Sequence, residues 1–198
     1  YMQGQVFLHF NRSVIAHGRI LNIHVEKARE MPGVIGLFTG KDLLEDEVRP
    51  VPVNMPFTRE DGSPATSAPY FPLATDAVRF AGQAVAMVIA ETAIQAEDAA
   101  ECIEVEYEEL PVLTSLAEAV KPDAPRIWEE ISDNVAAAKT LGNQEEVDAA
   151  FRKAHHITKL ELANPRLIGN PIEPRTSICE YDPESGRRIL HAGHQAPW

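Results

Sequence analysis

Apolar and polar residues alternate in one part of the chain, and apolar residues form a continuous run in another. Each of these patterns predicts a strand. Val6, Leu8 and Phe10 alternate with polar residues, which is typical of a half-buried strand. Residues 84–90 are apolar at every position, which indicates a strand at the centre of a sheet, covered on both faces. Shorter patterns predict strands at 19–23 and 34–39 and a helix at 24–30 that ends at Pro32 and Gly33.

The central run belongs to a compact predicted unit of strand, helix and strand. Residues 78–91 form one long predicted strand, in which Gly82 marks a bulge or a close approach of another part of the chain. Thr92 and Gln95 have the spacing of a helix-capping pair, and Ala96, Ala99, Ala100 and Ile103 then recur at helical intervals. The next segment, "IEVEYEEL", alternates apolar residues with glutamates, which predicts a strand with one solvated face.

A second region begins after a proline-rich connection. Residues 112–142 show little periodicity and are predicted to be a linker between a domain at 1–111 and the start of another at 143–198. In the second domain, the patterns predict a helix capped by Asn143 with Glu146, a strand in "HITKLEL", and a hairpin that turns at Asp182, Pro183 and Gly186. These few elements cannot bury their own apolar side chains, so we expect the rest of that core to come from sequence that follows Trp198.

Composition narrows the classes of partner. Acidic residues outnumber basic ones 30 to 18, and the net charge of −12 argues against nucleic acid. No apolar run is long enough to span a bilayer, so no membrane association is expected. Residues 80–120 contain no Lys or Arg, and their acidic side chains form either a solvated face or a contact for a basic partner subunit: Glu97, Asp98, Glu101, Glu104, Glu106, Glu108 and Glu109.

Two further segments carry weaker signals. Cys102 and Cys179 lack metal-binding spacing, and two free thiols in the cytoplasm fit them best, with one disulfide left open. The irregular stretch 45–75 contains six prolines, and a loop of this length is usually functional, interface-forming or disordered; we favour an interface.

No motif in the chain predicts a self-contained active site. "GLFTGKDL" has a Gly–Lys pair after a strand but lacks the spacing and the Ser/Thr of a phosphate-binding loop. The His155/His156 and His191/His194 pairs diverge on extended chain, and fitting Asp, Glu or Cys ligands are lacking nearby. No serine lies in the elbow sequence of a hydrolase, and the many carboxylates do not define an acid–base pair.

The C-terminal stretch "NPIEPRTSICEYDPESGRRILHAGHQAPW" resembles the molybdenum-binding large subunit of the xanthine dehydrogenase, aldehyde oxidase and carbon monoxide dehydrogenase family. "EKAREMPGVIGLFTGKDL" and "DAVRFAGQAVAMVIAETAIQAEDAAECIEVEYEELPVL" resemble that family's α/β-hammerhead domain, and "GNQEEVDAAFRKAHHITKLEL" resembles the lead into its cofactor domain. The resemblance implies an α+β fold, in which a hammerhead domain precedes the first helix, strand and hairpin of a truncated molybdopterin-binding domain.

The same resemblance implies the chemistry of the full-length protein. Family members hold molybdenum on a pterin dithiolene, here expected in the cytosine dinucleotide form, and hydroxylate a small-molecule substrate with oxygen from water. Electrons leave through two-iron two-sulfur clusters to FAD on partner domains or subunits. A homodimer of the full-length subunit is a further association to consider. The chain itself is expected to be an N-terminal fragment that is inactive and binds no cofactor alone.

The resemblance assigns one cofactor-binding residue and no catalytic residue or metal ligand to this chain. Gln195 matches the family glutamine whose amide donates a hydrogen bond to a molybdenum oxygen ligand, whereas a carboxylate there would repel that oxygen. Glu173 is expected to be structural, because the family's general base is a glutamate near the far C-terminus. Trp198 stands where many relatives have histidine and Gly169 where proline is common, which leaves the substrate open.

Three hypotheses of function follow. The first is part of a molybdenum hydroxylase that oxidises an aldehyde or an N-heterocycle. The second is a non-catalytic scaffold or subunit-interface domain that uses two contact surfaces. These are the acidic residues within 97–109 and the irregular stretch 45–75, called the proline-rich loop. The third is a free-standing small-molecule-binding protein.

Overall fold

The alternating and fully apolar segments of the first 142 residues form two three-stranded antiparallel sheets. The structure is a computed structural model, and it describes residues 4–53, 56–162, 164, 167, 169, 171–173 and 176–193. It divides into two units, residues 1–142 and 143–198, and each is described by itself. Within the described ranges, no helix combines the length and the apolar character that crossing a membrane requires.

The described residues of the first unit form these helices and strands, in chain order: β1 (Phe7–Arg12), β2 (Gly18–His24), α1 (Glu26–Arg29), β3 (Val34–Thr39), α2 (Gly40–Glu45), β4 (Ala77–Val78), β5 (Ala84–Ala90), α3 (Ala93–Glu101), β6 (Glu104–Glu109) and α4 (Leu116–Ala119). The first sheet has the order β1-β5-β3 and the second the order β4-β2-β6. The predicted α+β class and the central position of β5 are both confirmed.

Helix α3 packs on the first sheet through small side chains. Ala96, Ala99 and Ala100 are buried, and the last two lie with Val88 and Ile103 in one apolar core. Alanine lets the helix approach the sheet closely because no longer side chain separates them. The predicted cap is also confirmed in its main part, because the Thr92 hydroxyl accepts a hydrogen bond from the Gln95 backbone N–H at 3.2 Å.

The long strand predicted over residues 78–91 is wrong, because the chain changes sheets within it. β4 belongs to the second sheet and β5 to the first, and residues 79–83 form a turn between them. Gly82 has a φ of +87°, in the left-handed region that glycine adopts without strain, and this conformation reverses the chain. The Ser13 backbone holds the turn, donating to the Gln83 carbonyl and accepting from the Gly82 N–H.

Residues 112–142, here called the strap, lie in the first unit. The Asn134 amide donates to the carbonyls of Ala119 and Pro125, both at 3.0 Å, so the side chain ties the strap to itself. The proline-rich loop contacts the strap as well, because Arg59 pairs with Asp133 at 2.5 Å. The domain limits at residues 111 and 143 stay predictions.

The second unit contains α5 (Gln144–Lys153), β7 (Ser177–Asp182) and β8 (Arg187–Ala192). The predicted helix and hairpin are confirmed. Asn143 caps α5 by accepting a hydrogen bond from the Glu146 N–H at 3.3 Å, and Gly186 has a φ of +69° in the turn between the strands.

The strand predicted in "HITKLEL" is wrong. Residues 156–162 are all described, and none of them belongs to a strand. Alternating side chains favour a strand only where a neighbouring strand supplies backbone hydrogen bonds, and no described residue pairs with this segment. The unit also lacks a core, because none of its described residues is buried, and the side chains of Val147 and Phe151 are 46% and 55% exposed.

Candidate functional site

The β7–β8 hairpin leads toward the one predicted cofactor-binding residue. β8 ends at Ala192, and Gln195 lies outside the described residues, as do His194 and Trp198. The described part of this region is therefore the hairpin that precedes Gln195 in the sequence. Glu173, for which a structural role is expected, is described and exposed.

The hairpin turn is fixed by Asp182. Its side chain accepts hydrogen bonds from the Ser185 hydroxyl and from the Glu184 N–H, the second at 3.0 Å. The pKa of Asp182 is lowered from its ordinary value, first by the Ser185 hydrogen bond and then by the Glu184 hydrogen bond. The Asp182 carboxylate therefore has a structural role, because both of these hydrogen bonds stabilise the turn.

The histidines of the second unit do not form a metal site with the groups that the structure describes. His191 Nε2 lies 2.7 Å from Glu180 Oε1 across the hairpin, and both side chains are partly exposed. His155 and His156 are exposed in irregular chain after α5. Among the described residues, no three His, Cys, Asp or Glu side chains are placed to hold a metal ion together.

The first unit contains a cleft that sequence reasoning missed. It has a volume of about 480 Å³ and lies between the second sheet and the strap, where Arg19, Asp76, Arg79, Arg126 and Ile127 contribute to its lining. Buried His17 borders the same cleft, with Nδ1 2.7 Å from the Pro111 carbonyl oxygen. Because a carbonyl oxygen can only accept, Nδ1 carries the proton of this pair.

The charges of the cleft are largely paired with one another. Arg79 Nη2 lies 2.9 Å from Asp76 Oδ2, and its guanidinium stacks 3.6 Å from the centroid of a Trp128 ring. Burial would raise the pKa of Asp76, but the hydrogen bond and charge of Arg79 outweigh it and lower that pKa. Arg19 pairs with Glu108 and Glu129. A ligand would have to break these pairs, so the cleft is better explained as the seat of the strap than as a binding site.

Arg79 and Trp128 are 49 positions apart, and only their proximity in the fold reveals the stack. The available signal was compositional: a tryptophan in a proline-rich segment otherwise poor in aromatic residues. That signal indicates an anchor without indicating its partner.

Two family models match the chain in succession. Residues 1–111 match the a/b hammerhead domain of aldehyde oxidase and xanthine dehydrogenase, and residues 127–198 match the molybdopterin cofactor-binding domain. The chain belongs to the aldehyde oxidase and xanthine dehydrogenase family. The resemblance read from the sequence is therefore confirmed, and so is the order of its two parts.

Individual relatives agree with this assignment. The carbon monoxide dehydrogenase large chain of Afipia carboxidovorans is 32% identical over 208 residues, which cover 99% of this chain and 24% of that protein. The xanthine dehydrogenase molybdenum-binding subunit of Escherichia coli O157:H7 is 34% identical over 150 residues, covering 75% of this chain and 19% of that protein. The crystal structure of quinoline 2-oxidoreductase from Pseudomonas putida 86 has a TM-score of 0.84 and 29% identity, covering all of this chain and 24% of that one.

The lengths matter as much as the identities. This chain spans about a quarter of the carbon monoxide dehydrogenase and quinoline 2-oxidoreductase chains that it matches.

Proposed function

We propose that the chain is the N-terminal part of the large subunit of a molybdenum hydroxylase, which oxidises an aldehyde or an N-heterocycle with water as the oxygen source. The observation that supports this most directly is the succession of the two domain matches, which together leave only residues 112–126 unmatched. Relatives named for nicotine 6-hydroxylation and quinoline oxidation support an N-heterocycle, and those named for carbon monoxide oxidation leave the substrate class broader.

Gln195 is the residue of this chain that we assign to the cofactor. A neutral amide donates a hydrogen bond to a metal-bound oxygen and orients it, without competing for the metal or repelling the oxygen by charge. The described residues of the second unit contain no buried polar side chain, so they do not enclose a cofactor by themselves.

The partners and the exact cofactor belong to the same proposal. Iron–sulfur and FAD subunits are supported by relatives whose names describe a subunit gamma of a dehydrogenase complex and a large subunit of a hydroxylase. We further propose the cytosine dinucleotide form of the pterin, a homodimer of the full-length subunit, and a cytoplasmic location. The two cysteines are both free, which fits a reducing compartment.

The test uses the complete reading frame, expressed with its neighbouring genes. The purified wild-type protein should contain molybdenum and pterin and oxidise an aldehyde or an N-heterocycle. Gln195→Glu should oxidise substrate more slowly than Gln195→Ala relative to the molybdenum each retains, because a carboxylate opposes the metal-bound oxygen. Gln144→Glu, which changes an exposed amide on α5, is the matched control and should behave as wild type.

A wild-type protein without molybdenum would contradict the enzyme proposal. It would favour the second candidate, a non-catalytic scaffold or subunit-interface domain. One observation favours that candidate for the isolated chain: the first unit buries an apolar core of its own, whereas no described residue of the second unit is buried.

A further inference from the structure

One strand of the first unit has apolar side chains on the face of its sheet that points away from the helix. Asn11 of β1 donates from its side-chain amide to the Ala100 carbonyl of α3 at 3.1 Å, so the stripe formed by Phe7, His9 and Asn11 faces the helix. Because successive side chains of a strand point to opposite faces, Leu8 and Phe10 lie on the other face of the sheet. Leu8 is 48% exposed there.

The two neighbouring strands continue this apolar face. Leu8 and Phe10 are opposite Ile89 and Met87 of β5, and Met87 is opposite Phe38 of β3. On β5 the residues that face the helix, Ala86 and Val88, are fully buried, whereas Met87 and Ile89 are only partly buried. The outer patch, defined as Val6, Leu8, Phe10, Phe38, Met87 and Ile89, is therefore apolar across all three strands. Val6 and Leu8 are exposed, and the other four residues are partly exposed.

Charge is confined to the edge of the outer patch. The Arg12 guanidinium lies 5.3 Å from the centroid of the Phe10 ring, at the end of β1. The six residues of the patch carry no charge and no side-chain hydrogen-bonding group. A centre depleted of charge is typical of interface cores, and the most apolar interfaces are the permanent ones.

We propose that the outer patch is the docking surface for the part of the same polypeptide that follows residue 198. This inference rests on the proposed function, under which the chain is the N-terminal quarter of a large subunit. The relatives that match 99–100% of this chain are about four times as long, so under the proposed function about three quarters of the subunit follows residue 198 and is available to cover this face. A permanent intrachain contact also explains why apolar side chains occupy the exposed stripe of β1, since an uncovered apolar stripe would favour aggregation.

The experiment places a photoreactive p-benzoylphenylalanine in the full-length chain, in its complex with the neighbouring gene products. The probe replaces Leu8 at the centre of the patch, and the matched control replaces Ile94, a 71% exposed apolar residue on α3. After irradiation, the cross-linked peptides are identified by mass spectrometry. The Leu8 probe should link to peptides that follow residue 198 in the same polypeptide, and the Ile94 probe should not.

Mixing isotope-labelled and unlabelled protein separates links within one chain from links between copies. A link from Leu8 to a second copy or to an iron–sulfur or FAD subunit would overturn the proposal, as would equal linking from both positions or no linking at all. The substitutions Leu8→Lys and Ile94→Lys give a second reading. Only Leu8→Lys should lower the thermal midpoint of the full-length protein, and an unchanged midpoint would contradict the contact.

The molybdenum content and the intact mass of the same preparation test the proposed function separately. Protein that contains molybdenum but gives no link from Leu8 would retain the proposed function and lose the docking surface. Protein that gives the expected link but contains no molybdenum would retain the docking surface and contradict the proposed function. An intact mass that ends at residue 198 would exclude both before irradiation.

Discussion

The two units of the chain differ in what holds them together. In the first, β5 lies between two strands and under α3, and its inward side chains are fully buried. In the second, a helix and a two-stranded hairpin have good caps and turns, yet no described residue is buried. Local signals are therefore enough to set the shape of an element, whereas burial of apolar surface is what gives a unit its own stability.

The largest expected difference comes from separating the units. A polypeptide of residues 1–142 should unfold cooperatively and protect the β5 amides from hydrogen exchange, because those amides lie in a packed sheet. A polypeptide of residues 143–198 should show no protected amides, because an isolated hairpin is marginal in water. Protection of the β7–β8 amides in the second polypeptide would contradict the comparison.

A glycine in each unit gives the next largest contrast. A Cβ on Gly40 would lie 2.1 Å from the Ala74 carbonyl oxygen, so Gly40→Ala should reduce the free energy of unfolding by about 1–3 kcal/mol. A Cβ on Gly169 would meet nothing within 4 Å, so Gly169→Ala should change it by less than about 0.5 kcal/mol. Urea denaturation measures both, and equal effects would show that the described packing around Gly40 is incorrect.

The helix caps provide a smaller and more exacting comparison. Thr92→Ala removes the acceptor of the Gln95 N–H and should lower the free energy of unfolding of the first unit by about 1 kcal/mol. Thr92→Ser keeps a hydroxyl acceptor and should retain most of that free energy. Asn143→Ala removes the corresponding acceptor from α5 and should lower the helicity seen by circular dichroism. It should leave the midpoint of the main unfolding transition unchanged. A shifted midpoint would mean that α5 belongs to the cooperative unit.

The smallest effect concerns pH and the second sheet. The hydrogen bond from His24 Nε2 to Glu106 Oε1, at 2.8 Å, raises the pKa of His24 above its ordinary value, although partial desolvation opposes it. Since the folded pKa is the higher one, the stabilisation is complete below the unfolded pKa and is lost as the pH rises through the folded pKa.

An NMR titration of His24 checks this direction. Its pKa should fall in the Glu106→Gln variant, and salt should also reduce the shift because the pair is exposed. An equal His24 pKa in wild type and variant would exclude the ion pair as the cause.

Sequence patterns predicted the elements that depend on local chemistry. The cap at Thr92, the cap at Asn143 and the turn at Gly186 were found because a few neighbouring residues determine each of them. The apolar run of β5 also predicted its central place in the sheet, which is confirmed, although Met87 and Ile89 on one face are only partly buried.

Elements that depend on distant partners were predicted less well. The alternation in residues 156–162 could not show that no described strand lies beside it, and the run 78–91 could not show that its two halves join different sheets. Nor did the alternation at Val6, Leu8 and Phe10 show which face of β1 the helix would cover. The stack of Arg79 on Trp128 was missed for the same reason. The role of Gln195 stays a prediction, because that residue lies outside the described part of the chain.

The switch of the chain from β4 to β5 makes the two sheets mechanically one body. Val78 at the end of one and Val85 near the start of the other lie in the same apolar cluster, and the Ser13 backbone clamps the turn between them. Separating either sheet would disrupt the turn between β4 and β5 and the apolar cluster that both strands share, so we expect the two sheets to unfold together. The first 142 residues should consequently rupture in a single event when stretched from their ends.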